Sequence, residues 1–202
     1  FLELAGQALT RADSAGVPCA LLHVEIDQYN TVVNAFRDGD STIVLRATAQ
    51  RIAEAIRASD VASHTPDTLT SELGHAATSV FNVLLVNCGD VDAVTRVAER
   101  IKESIAEPLR VEGADLLLTA SIGIAIHPRD GTDAEALSLA SRQAHLAARL
   151  QGRGTTRLHS ADMRQTARAR LSREAELRHG IFNGQLRLVY QPKVDANSGR
   201  IV

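Results

Sequence analysis

The run from Cys19 to Ile26 most restricts what this chain can become, because only His23 and Glu25 interrupt its apolar character. A stretch that fails to alternate with period two belongs to a strand covered on both faces of a sheet, which requires a layer of helix above and below it. We take 19–26 as the central strand. Before it, Leu2, Leu4, Ala5, Ala8, Leu9 and Ala12 recur at helical spacing and stop at Gly16-Val17-Pro18. After it, Tyr29, Val32, Val33 and Phe36 predict a helical segment within 27–36, and Ile43, Val44, Ala47, Ile52, Ala55 and Ile56 predict a longer helix over 41–57.

Residues 59–76 lose this period and read as irregular, with one short edge strand. A strand is expected over 80–87, a helix over 90–107 stopped by Pro108, and a strand from Leu116 to Ile126. A helix over 133–150, capped by Thr132 or Asp133, and a short edge strand over 155–159 complete the pattern. The alternation predicts an α/β sandwich in which helices 41–57, 90–107 and 133–150 cover a central mixed sheet of about five strands. Past Ser160 the chain becomes charged and Arg-rich, as expected of a linker helix over 160–182. Residues 185–202 then read as a β-hairpin opening a second domain.

A net charge of −2 over 202 residues gives no bulk attraction to nucleic acid or to an anionic membrane, and no basic run is interleaved with aromatics. No apolar stretch approaches the roughly 20 residues of a membrane span, so no membrane contact is expected. Cys19 and Cys88 lack a CxxC partner or a nearby His, and read as buried, reduced thiols of a cytoplasmic protein. His23, His64, His75, His127, His145, His159 and His179 show no metal-binding spacing, which predicts surface or core-edge positions and no metal. Ser121 lies in a strand pattern without a nucleophile elbow.

The segments Ala20-Leu21-Leu22-His23-Val24-Glu25-Ile26-Asp27-Gln28-Tyr29, Gly39-Asp40, Arg57-Ala58-Ser59-Asp60, Phe81 to Leu85, Thr119-Ala120-Ser121-Ile122-Gly123-Ile124-Ala125 and Gly152-Arg153 occur in this order. Together they resemble a GGDEF domain over residues 1–159. Gln185 to Asp195 with Gly199-Arg200-Ile201 resembles the opening hairpin of an EAL domain, the phosphodiesterase module often fused behind a GGDEF domain. The resemblance implies a nucleotide-cyclase-palm fold over 1–159, a linker helix over 160–183 and the start of an EAL domain over 184–202.

An active member of that family condenses two GTP molecules into cyclic di-GMP across a homodimer, with divalent cations held by carboxylates. Here the resemblance places the first metal carboxylate at Glu25, within Glu25-Ile26-Asp27, and the second at Val80, which cannot ligate a cation. The signature glycines map onto Ala77 and Thr78 and its Asp onto Ser79, leaving Phe81 as the position that packs. Glycine there permits a positive φ and close approach of backbone to nucleotide, which a β-branched Thr resists. The guanine-reading Asn maps onto Val33, although the paired Asp40 remains.

The implied function is a catalytically inactive GGDEF module that serves as a regulatory or dimerising module, through a homodimer, for its own C-terminal EAL domain. Two alternatives stay open. Arg57 and Asp60 match the R-x-x-D motif through which this family binds cyclic di-GMP, or form an ordinary pair at a helix end. Arg149 and Arg153 can meet phosphate as part of a GTP-binding activator site, or are cations favoured at a helix C-terminus. Mg²⁺ enters only if GTP binding is kept.

Overall fold

The computed structural model describes residues 1–34, 40–60, 70–72, 79–111, 113–185, 187, 189, 195 and 200. Chain contacts divide it into two units, Phe1–Met163 and Arg164–Val202. In the first, the elements run α1 (Leu2–Ala15), β1 (Cys19–Ile26), α2 (Tyr29–Val33), α3 (Asp40–Asp60), β2 (Thr70–Glu72), β3 (Val80–Val86), α4 (Val91–Ala106), β4 (Leu109–Val111), β5 (Ala114–Leu116), β6 (Ala120–His127), α5 (Ala134–Leu150) and β7 (Thr156–Leu158). The helix α6 (Met163–Phe182) follows.

Among the described residues the sheet has five strands in the order β2-β3-β1-β6-β7, so β1 is central, as its largely apolar run predicts. It pairs antiparallel with both β3 and β6, while β7 joins β6 in parallel. The two faces of β1 feed two cores. Ala20, Leu22, Val24 and Ile26 pack with residues of α3 and α4, including Ile52, Ile56, Ile101 and Ile105. Cys19 and Leu21 pack on the opposite side with Leu9 and Ala12 of α1 and Leu137 and Ala140 of α5. Both cysteines are free; burial pushes the Cys88 thiol up to about 12, and Cys19 is raised for the same reason.

Local chemistry sets the boundaries. Gly16 adopts φ 65, the left-handed conformation that ends α1. Asp90 and Asp133 accept from Ala93 N–H and Ala136 N–H, each capping the helix it precedes. Helices α3 and α4 are joined by arginines. Arg51 donates to the carbonyls of Ile105, Glu107 and Pro108 at the end of α4, and Arg100 of α4 returns a 2.6 Å bond to Ala55 O.

Two expectations require correction. The strand expected from Leu116 to Ile126 is divided: Leu116 ends a separate hairpin by pairing with Leu109, and β6 starts only at Ala120. The intervening Thr119 offers its carbonyl to Asp27 N–H, which draws it to the end of β1. The helical segment after β1 is also short, closing at Val33, and Phe36 falls outside the described residues. In the second unit, α6 closes at Gly184 with φ 64, and Gln185 N–H donates to Gly180 O. Asp195 N–H donates to Arg200 O at 2.9 Å.

Gly123 of β6 is where helix and sheet meet most tightly. A Cβ there would lie 2.1 Å from both His145 N and Ser141 O on α5. Gly123→Ala is therefore expected to cost about 3 kcal/mol or more through overpacking. Gly6→Ala, in the interior of α1 with nothing within 4 Å, should stabilise by about 0.5–1 kcal/mol. Thermal melts of the two variants check both signs.

Candidate functional site

On one face of β1, the residues Cys19, Leu21, His23 and Glu25 follow one another at period two. Helices α1 and α5 bury the first two, leaving His23 and Glu25 half-buried beside the C-terminal half of α5. The register sets Glu25 opposite Val80 of β3 on one side and Ser121 of β6 on the other. His23 faces Asn82 and Gly123 in the same way.

Glu25 is held by two basic side chains of α5. His145 Nε2 lies 3.1 Å from Glu25 Oε2, and Arg149 Nη1 lies 3.4 Å from both carboxylate oxygens. The His145 approach is short but lies off the ideal hydrogen-bond direction. His145 chiefly, with Arg149 and His23 adding, holds the Glu25 carboxyl below its ordinary range against the opposing effect of burial. His23 Nδ1–H donates to Asn82 Oδ1 at 2.9 Å, and its ring centroid stands 4.9 Å from that of His145. Burial pushes His23 down to about 4, with His145 and Arg142 opposing its charge, so it is neutral near pH 7.

Asp27 behaves differently from Glu25. It is buried and accepts three hydrogen bonds: Thr119 Oγ at 2.9 Å, Ser121 Oγ at 2.8 Å and Gly154 N–H at 2.9 Å. A carboxylate so satisfied braces structure. Its partner Gly154 belongs to the turn Gly152-Arg153-Gly154, in which all three residues have positive φ, Arg153 at 57. Sequence reasoning paired Asp27 with Glu25 and left Ser121 without a role; the separation of Asp27 from Ser121 by most of the sheet's connectivity hid their bond.

The histidines also depart from expectation. His127 and His145 are buried, and His159 is largely so. Each faces a carboxylate on another segment: His127 with Asp13 at 2.6 Å, His145 with Glu25, and His159 with Asp130 at 3.1 Å. An acidic partner is what makes burial of an imidazole tolerable. Arg149, expected either at phosphate or in solvent, is engaged with Glu25.

A divalent cation does not fit the described residues of this site. Glu25 is already engaged by His145 and Arg149, the facing Val80 offers no donor, and among the described residues no group of His, Cys, Asp and Glu could hold a metal. Ser79 contributes its carbonyl to Ile26 N–H at the strand junction. Ala77 and Thr78 lie outside the described residues, as do the side chains of Val33, Asp40, Arg57 and Asp60; in backbone terms these last four close α2, open α3 and occupy the final turn of α3.

Residues 1–155 match the family model for the diguanylate cyclase GGDEF domain. The cyclic di-GMP phosphodiesterase NbdA of Pseudomonas aeruginosa is 25% identical over 201 residues, covering 100% of this chain and 24% of that protein. The bifunctional diguanylate cyclase/cyclic di-GMP phosphodiesterase MucR of the same organism is 28% identical over 196 residues, 97% of this chain and 27% of its own length. The chain thus spans about a quarter of these relatives. Among solved structures, the GGDEF domain of YfiN from Pseudomonas aeruginosa superposes with a TM-score of 0.67 at 26% identity, covering 79% of this chain and 93% of that one.

Because the folded carboxyl of Glu25 titrates below its ordinary value of 4.5, its stabilising contribution is complete above that pH and disappears as pH falls through the lower folded value. In the acid limb, the stability difference between wild type and Glu25→Gln should be constant from about pH 5.5 to 5 and shrink below about pH 4. Urea melts across this range check the sign.

Proposed function

This chain belongs to the diguanylate cyclase GGDEF family, and we propose that it is a member without cyclase activity, serving as a regulatory and dimerising module for an EAL phosphodiesterase domain. The observation that carries this reading is the pairing of Glu25 with Val80 across β1 and β3, together with the hold of His145 and Arg149 on Glu25. Condensing two triphosphates needs cations that offset their charge and activate a hydroxyl. The Glu25 carboxylate is engaged by His145 and Arg149, and the residue facing it on β3 is an alkyl group. No cofactor is assigned; Mg²⁺ would accompany GTP only if GTP binds.

In this reading residues 1–159 are the regulatory domain, 160–183 a linker helix that transmits orientation, and 184–202 the opening of the EAL domain. Gln185-Leu186-Arg187-Leu188-Val189-Tyr190-Gln191-Pro192 and the bond from Asp195 N–H to Arg200 O support a hairpin there. The phosphodiesterase names of NbdA and MucR agree with this tandem arrangement. The module works in cyclic di-GMP signalling, and its partners are the EAL domain and a second copy of itself.

A second reading is favoured by the extent of α3. The helix continues through Asp60, so Arg57 and Asp60 stand one turn apart at its end. An R-x-x-D turn in that position suits a fork onto phosphate and base edges of cyclic di-GMP, making the domain a receptor for it.

The purified chain is expected to form no cyclic di-GMP from GTP with Mg²⁺ or Mn²⁺, as followed by chromatography; product formation overturns the inactive reading. Titration calorimetry with cyclic di-GMP tests the receptor reading: heat that Arg57→Ala reduces at least tenfold in affinity supports it, and no heat at high micromolar dinucleotide removes it.

A further inference from the structure

The strand β7 contains three residues and forms one edge of the sheet. So short a parallel edge strand has little ladder to hold it. Both of its ends are nevertheless fixed by buried carboxylates. At the entry, Asp27 binds Gly154 N–H at 2.9 Å, Thr155 O accepts from Ile122 N–H at 2.9 Å, and Thr155 Oγ donates to Ala148 O of α5. At the exit, His159 N–H donates to Ile124 O at 2.7 Å, and the His159 ring meets Asp130 Oδ1 at 3.1 Å.

Asp130 is itself a hub. Its Oδ2 accepts from Ile126 N–H at 2.7 Å, and Arg129 donates to both of its oxygens. The Arg129, Ile126 and His159 contacts hold its carboxyl below the ordinary range in spite of burial, so it stays charged at neutral pH. Asp27, at the other clamp, is the residue that follows β1 beyond Glu25 and Ile26. One end of β7 is therefore wired to the edge that carries Glu25, and the other to the point where the chain leaves the first unit.

We infer that β7 is the output strand of this domain: a stiff rod between the Asp27 and Asp130 clamps, through which a change at the end of β1 reaches His159 and Ser160. The purpose assigned to this link rests on the regulatory reading above, whereas the link itself is a mechanical property of the chain. Its physical basis is that so few ladder bonds leave the position of β7 to the contacts at its two ends. Loosening one clamp shifts the ladder bonds at Ile122 and Ile124 together, because both belong to the same short register with Thr156 and Leu158.

Amide hydrogen exchange on the 202-residue chain tests this, since exchange reads local opening at single amides. Asp27→Asn removes the charge and replaces one accepting oxygen by an amide donor, either Oδ2, which holds Gly154 N–H and Thr119 Oγ, or Oδ1, which holds Ser121 Oγ; it should speed exchange at the distant His159 amide about tenfold or more, with Leu22 of β1 unchanged. Asp130→Asn should speed exchange at Gly154 in the same manner. Exchange that rises only beside the substituted residue overturns the proposal. If Asp27→Asn fails to fold, Thr119→Val removes one donor to Asp27 while keeping the side-chain shape, and the His159 amide should still respond in the same direction. Combining Thr119→Val with His159→Gln separates linked from independent clamps: additive effects on Ile122 and Ile124 protection overturn the link. Cyclase activity in the unaltered chain would remove the inactive reading and leave these exchange results untouched.

Discussion

Helix α5 rests on bare backbone where Gly123 leaves no side chain between them, and the chemistry at the end of β1 depends on that contact. With the helix seated so low, His145 comes within 3.1 Å of Glu25, and Arg149, one turn further along, reaches the same carboxylate. A larger residue at 123 would lift the helix and leave Glu25 half-buried without its countercharge, a costly state for a carboxylate. Packing and electrostatics at this site are thus a single requirement.

Glu25 and Asp27 show how two acids one residue apart acquire different roles. The first sits where α5 supplies charge and solvent still reaches; the second lies past the strand end, buried, where hydroxyls and a backbone amide surround it. A carboxylate held by basic side chains is tied to the helix that carries them, whereas one satisfied by hydroxyls and a backbone amide holds its neighbours in place. The neutral His23 and its Asn82 partner extend the first environment across the sheet.

Much of the fold was legible in the residues. The continuous apolar run of β1 announced a central strand, and the periodicity of α4 and α5, each behind an aspartate cap, located the covering helices. Short elements were harder to read. Leu116 to Ile126 looked like one strand because the break at Thr119 comes from a hydrogen bond to Asp27, ninety-odd positions away in sequence, as the separation of 92 shows. The site was legible at Glu25 and Val80, whose types bear directly on cation binding. It was illegible at His145, since a buried imidazole and a surface one have the same local sequence signature; only the register that brings Glu25 beneath α5 distinguishes them. Ser121 and Gly154 escaped notice for the same reason.

The exchanged arginines of α3 and α4 bear on how far this sequence can drift. Arg51 spreads one guanidinium over three carbonyls at the end of α4, while Arg100 reaches back to Ala55. A lysine at position 51 would preserve the charge but offer one compact ammonium where a planar fork now spans several acceptors. Neutral wandering between the two basic residues, ordinary on a protein surface, is closed to this position. A change in backbone course at the end of α4 therefore bears directly on the residue that the middle of α3 can carry.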